Sequence, residues 1–108
     1  MNDLFHKTLQ AGGITYVFRL PSSRDMFAVD NLAHKERGGN ENLTDVGFYY
    51  SQAIALLNTL CEEPKDTDFG DLPAPMTDWA MGEVMDWIRS FRENLGTKAA
   101  TGDTGSGA

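Results

Sequence analysis

One stretch restricts the possible folds more than any other. Residues 14–20 (ITYVFRL) are β-branched or aromatic at five of seven positions and lie between Gly12-Gly13 and Pro21. Such a run reads as a β-strand. Alternation places Ile14, Tyr16 and Phe18 on one side, with Thr15, Val17 and Arg19 on the other. A lone strand leaves its backbone N–H and C=O groups without partners. It must therefore pair, either with the segment at 2–9 or with another chain. Residues 3–10 (DLFHKTLQ) carry a competing signal. Leu4, Phe5 and Leu9 are spaced for a short helix that Gly12-Gly13 would stop.

Helical patterns dominate the rest. Pro21-Ser22-Ser23 marks a helix entry, with Ser22 as N-cap and Asp25 three residues on, close to a capping box. This helix is expected to reach about Arg37, burying Met26, Val29 and Ala33 with Phe27 and Leu32 beside them, and to close at Gly38-Gly39. Thr44-Asp45 starts a second helix that ends near Glu62, before Pro64; its broad apolar set suits a central, buried position. Residues 63–76 hold three prolines and read as an irregular connection. Thr77 or Asp78 then caps a last helix to about Leu95, in which Met81, Val84, Ile88, Phe91 and Leu95 form a stripe that Met85 and Trp87 widen.

The expected fold is therefore mainly α. It is a small helical domain of three to four helices over residues 1–96, with one short N-terminal strand or hairpin. A disordered, flexible Gly/Thr/Ser-rich tail at 97–108 follows. The 108 residues, 41% of them hydrophobic, suffice for one core without metal or disulfide support.

Charge and residue usage exclude several functions. The formal net charge is −7, and no Lys/Arg cluster offers the surface that nucleic-acid phosphates need. Residues 62–86 carry eight carboxylates against the single base Lys65. Such a stretch is usually a solvated connection; its functional reading is a surface that steers toward a basic partner. The lone Cys61 fits a reducing compartment, and no apolar run approaches a membrane span. His6, His34 and Cys61 lack metal-ligand spacing. Asp66-Thr67-Asp68-Phe69-Gly70 fails as a calcium loop, because glycine stands fifth instead of sixth and Thr77 occupies position twelve. Gly12-Gly13 is too short for a phosphate loop. The chain reads as non-enzymatic, with no cofactor and no metal. Its expected partners are other proteins, not nucleic acid or membrane, and self-association into a homo-oligomer stays open.

The candidate partner-binding residues are aromatic. Trp79 and Trp87, with the methionines, can form a docking surface, since Trp and Met are favoured at interfaces; the alternative is a stripe packed on the second helix. Phe48, Tyr49 and Tyr50 cannot all face one core, so one of them is expected at the surface.

Residues 14–27 (ITYVFRLPSSRDMF) resemble the N-terminal signature of tail assembly chaperones from long-tailed bacteriophages. The matching positions are Tyr16, Phe18, Arg19, Pro21 and Ser22, and the later order of polar loop, helix, Pro-rich acidic connection and final amphipathic helix is similar. The resemblance implies a protein of the host cytoplasm that binds tape measure and tail tube proteins during tail assembly, without chemistry and without remaining in the virion. It also implies a short and a frameshift-extended form, with the Gly/Thr/Ser tail where the extension begins. On this reading Tyr16, Phe18 and Arg19 join Trp79 and Trp87 as partner-binding residues, with the strand edge at 14–20 open to a long helical client. Two other readings fit the same features. One is a small structural virion protein, such as a tail-completion or capsid-associated subunit; the other is an acidic regulatory or inhibitor protein.

Overall fold

The computed structural model describes residues 4–38 and 42–102, with 96–102 as backbone. Strands β1 (His6–Ala11) and β2 (Ile14–Arg19) form an antiparallel hairpin, and β3 (Cys61–Glu63) pairs antiparallel with the other side of β2. Helices α1 (Ser23–Glu36), α2 (Asp45–Leu60) and α3 (Ala74–Gly102) complete the fold, with a single 3₁₀ turn at Phe69–Asp71 before α3. The expectation of a mainly helical domain with one short strand or hairpin is thus overturned: this is an α+β domain with a three-stranded sheet.

The difference has local causes. Residues 6–11 pair as a strand instead of coiling, because Gly12 and Gly13 both adopt positive φ, 59° and 80°. Two consecutive left-handed residues make the tight connection whose twist matches a hairpin. Leu9 then sits opposite Tyr16 on the buried face, while His6, Thr8 and Gln10 share the outer face with Thr15 and Arg19. The third strand has no turn signal in the sequence. The chain leaves α2 directly into extended geometry at Cys61 (φ −75°, ψ 113°), and a register shift between Val17 and Phe18 lets three residues dock on β2. Strand β2 is therefore the centre of the sheet, paired on both sides, and the open edge expected at 14–20 is not there.

Helix α1 begins as the sequence predicts. Ser22 Oγ accepts the Asp25 N–H at 3.1 Å, and Asp25 Oδ2 accepts the Ser22 N–H at 2.8 Å. Gly38, with φ 62°, closes it. Helix α2 is the central helix, burying Ala53, Ala55, Leu56, Leu57 and Leu60. Arg37 ties α1 to it: Nη1 donates to Ser51 Oγ at 3.1 Å, and the guanidinium stacks over the Phe48 ring, 4.8 Å from its centroid.

The Pro-rich connection is less irregular than its composition implies. Asn58 clamps it from α2, with Nδ2 donating to Asp68 Oδ1 at 3.0 Å and Oδ1 accepting the Phe69 N–H at 2.8 Å. This delivers Phe69, 1% exposed, into the core between Tyr16 and Phe18, with ring centroids 5.7 and 5.8 Å away. Thr77 is not a cap. It is buried, and its hydroxyl donates to the Phe69 carbonyl at 3.2 Å. Helix α3 starts earlier, at Ala74, with Pro75 in the first turn where no N–H is required. It also continues through Gly96 to Gly102. The flexible tail expected at 97–108 is therefore helical backbone through 102, and 103–108 lie outside the described residues.

Candidate functional site

The five residues singled out in the sequence do not form one surface. Tyr16 and Phe18 are buried in the core, at 4% and 0% exposure. Arg19 is committed within the fold: its Nη2 lies 2.7 Å from Asp25 Oδ1. That hydrogen bond raises the guanidinium pKa above its usual value and, with the Ser22 N–H, holds the Asp25 carboxyl below the ordinary carboxylate range. Trp87 is half-buried against the core. Trp79 alone of the five is exposed, near the start of α3. Of the aromatic trio on α2, Tyr49 is the exposed member, with its ring edge-on to Tyr50 at 4.9 Å.

What the fold leaves open is a groove between α1 and α3, with a volume of about 550 Å³. Its floor is α2, through Gln52 and Leu56. One wall is α1, through Met26 and Val29; the other is α3, through Met81, Met85, Ile88 and Leu95. Leu20, Pro21 and Ser22, at the β2–α1 junction, also line it. The apolar side chains are incompletely covered: Met26 is 49% exposed, Met85 37% and Leu95 54%.

Two contacts set the direction of its walls. The Phe91 ring packs on Phe5 at 5.9 Å, and the Phe5 carbonyl accepts the Leu20 N–H at 2.8 Å. The Phe91–Leu95 end of α3 therefore lies at the end where α1 begins. At the start of α3, Tyr50 Oη donates to Asp78 Oδ2 at 3.1 Å, anchoring it beside the first half of α2. Helix α3 thus runs antiparallel to α1 across the groove.

The groove's lining is mostly apolar and rich in methionine. Methionine is unbranched and polarisable, so it adapts to varied apolar surfaces. Three of the chain's five methionines, Met26, Met81 and Met85, line this one feature. Among the described residues no group of three or more His, Cys, Asp or Glu is placed to hold a metal ion. Cys61 is half-buried; burial pushes its thiol pKa up, and its Sγ donates to the Glu63 carbonyl at 3.2 Å, so it is not an activated nucleophile. No described helix is long and apolar enough to cross a membrane.

Compared with protein-family models, curated proteins and solved structures, the chain matches none.

Sequence reasoning assigned Met26 to the core of α1 and Met85 to a wide stripe on α3. The missed signal was surplus. Helix α1 carries Met26, Phe27 and Leu32 in addition to the Val29 and Ala33 it buries, more apolar surface than one contact with α2 can cover.

Proposed function

We propose that this chain is a non-enzymatic assembly chaperone of long-tailed bacteriophages, binding tape measure and tail tube proteins in the host cytoplasm while a tail is built. The observation that carries the reading is the Met-lined groove, a trough whose apolar walls suit an apolar helix. Amphipathic helices are recognised in grooves of this kind through apolar residues at i, i+3/i+4 and i+7. The resemblance of residues 14–27 to the chaperone signature supplies the identity of the client. The strand that carries this resemblance serves the fold: Tyr16 and Phe18 build the core under α2, and Arg19 fixes the start of α1.

The acidic-inhibitor alternative draws less support, because several carboxylates of residues 62–86 are engaged internally. Glu62 meets His6 at 3.0 Å, Asp68 holds Asn58 and the Gly70 N–H, and Asp78 accepts from Tyr50.

The test is co-expression with the tape measure protein of the same phage. The expected result is a soluble tape measure protein that co-purifies with this chain, and purified particles that lack it. A tape measure protein that stays insoluble and fails to co-purify sinks the chaperone reading. Stable presence in particles replaces it with a structural virion subunit.

A further inference from the structure

The charge of the groove is as specific as its shape. The chain has a formal net charge of −7, yet among the described residues no carboxylate lines this trough, and the one charged lining residue is Arg92. Arg92 is exposed, and none of the described carboxylates pairs with it. It follows Phe91, so it stands at the end of the groove where α1 begins. The opposite end, at Gln52 and Met81, is lined by uncharged side chains. A trough that is apolar along its length and cationic at one end distinguishes the two directions in which a helix can lie.

We infer that the groove takes a single amphipathic helix from a partner protein, about four turns long, with an acidic side chain in the turn that lies against Arg92. This rests on the proposed function's view that the chain binds a helical protein, and it adds the polarity of that client. The length follows from α3: Met81 to Leu95 spans roughly 21 Å at 1.5 Å per residue. The acidic turn follows from charge complementarity with a guanidinium that no described carboxylate pairs with. Residues 97–108 are a poor occupant, because they contain no aromatic or large aliphatic side chain. A second copy is opposed by its own negative charge.

Methyl-labelled methionine NMR on the full chain tests this directly. Met26, Met81 and Met85 line the groove, whereas Met76 packs against the core elsewhere and is an internal control. The probes are two stapled helical peptides of about four turns, each with leucines at i, i+4, i+7 and i+11. One carries Glu in a terminal turn and the other Lys at the same position. The Glu peptide is expected to shift the three groove methyls, leave Met76 in place, and bind a few-fold tighter than the Lys peptide, up to about fivefold. In Arg92→Glu, an exposed site whose fold circular dichroism checks, the preference reverses.

Four results overturn the inference: no methyl shift with either peptide, an equal shift at Met76, a Glu preference that survives Arg92→Glu, or shifts of the groove methyls with protein concentration alone. The last identifies a second copy as the occupant. Peptides that bind while the tape measure protein does not leave the helix-binding groove intact and remove only its assignment to tail assembly. The opposite pattern removes the groove and keeps the chaperone.

Discussion

Arg19 and Asp25 meet across the junction of β2 and α1 in a two-pronged pair. Nη2 lies 2.7 Å from Oδ1, and Nε donates to Oδ2 at 3.4 Å. The same Oδ2 accepts the Ser22 N–H at 2.8 Å, so one carboxylate caps the helix and anchors the last residue of the strand. Losing either half should be measurable. Asp25→Ala removes the reciprocal bond to the Ser22 N–H together with the pair, leaves the Ser22 Oγ cap on the backbone in place, and is expected to cost about 1 kcal/mol. Arg19→Ala removes only the pair. Because the guanidinium is about a third exposed, solvent screening holds its loss to roughly 0.5 kcal/mol. Urea denaturation of both single variants and the double variant gives the coupling directly. An Arg19→Ala protein of unchanged stability means that the pair is ornamental.

Asp25 and Asp68 together set the response to acid. The Arg19 hydrogen bond, then the Ser22 N–H, lower Asp25; the Asn58 amide, then the Gly70 N–H, lower Asp68. A carboxylate more acidic in the folded chain than in the unfolded one contributes stability that is fully present above the unfolded value, near pH 4. It is lost as pH falls through the lower folded value, because the unfolded state takes up its protons first. Melting temperature should thus be nearly level above about pH 5 and fall steeply below it. Asp25→Asn combined with Asp68→Asn should start lower at pH 7 and lose part of that slope. Parallel melting curves for the variant and the parent across this range rule out these two groups as its source.

Phe69 should be worth far more than its place in a loop suggests. The ring lies between Tyr16 and Phe18 at 1% exposure, and its backbone is held by Asn58 and Thr77. Phe69→Ala leaves a cavity where the connection packs its ring against the sheet, and a loss of about 3–5 kcal/mol is expected. Phe69→Leu keeps most of the volume and should cost about 1.5 kcal/mol or less. Calorimetry compares the two. Equal, small losses would show that the loop carries Phe69 without locking it.

The helix boundaries that the sequence marked best were those with local chemistry. Ser22 and Asp25 formed the predicted box, and Thr44 caps α2 by accepting the Gly47 N–H at 3.4 Å. Where a boundary depended on tertiary contacts, the pattern misled. Thr77 carried a cap signature, but its hydroxyl was needed at the Phe69 carbonyl. His6–Ala11 held a weak helical spacing, but two glycines at positive φ and a partner strand outweighed it. Strand β3 is three residues placed by their pairing with β2, with no periodicity to read. For the site, the aromatic signal pointed inward: Tyr16 and Phe18 are apolar because they are core. The groove comes from two helices far apart in sequence, and only their packing on either side of α2 puts Met26 and Met85 on its two walls.

That packing makes the groove separable from the fold by substitution. Met26 and Met85 are 49% and 37% exposed, and a lysine at either place can keep its methylene stem on the same wall with the ammonium in water. Surface changes of this kind usually stay within about 0.5 kcal/mol. Met26→Lys with Met85→Lys should therefore melt close to the parent. It should nevertheless lose a helical client, because two ammonium groups now face an apolar helix and must be desolvated for it to seat. Val46→Lys is the matched control: Val46 is 65% exposed, more than either methionine, and does not line the groove. The expected result is that only the methionine pair abolishes co-purification with the client while all variants keep the parent's circular dichroism spectrum. Retained binding in the double lysine variant moves the client surface elsewhere, and exposed Trp79 and Phe27 become the next places to look.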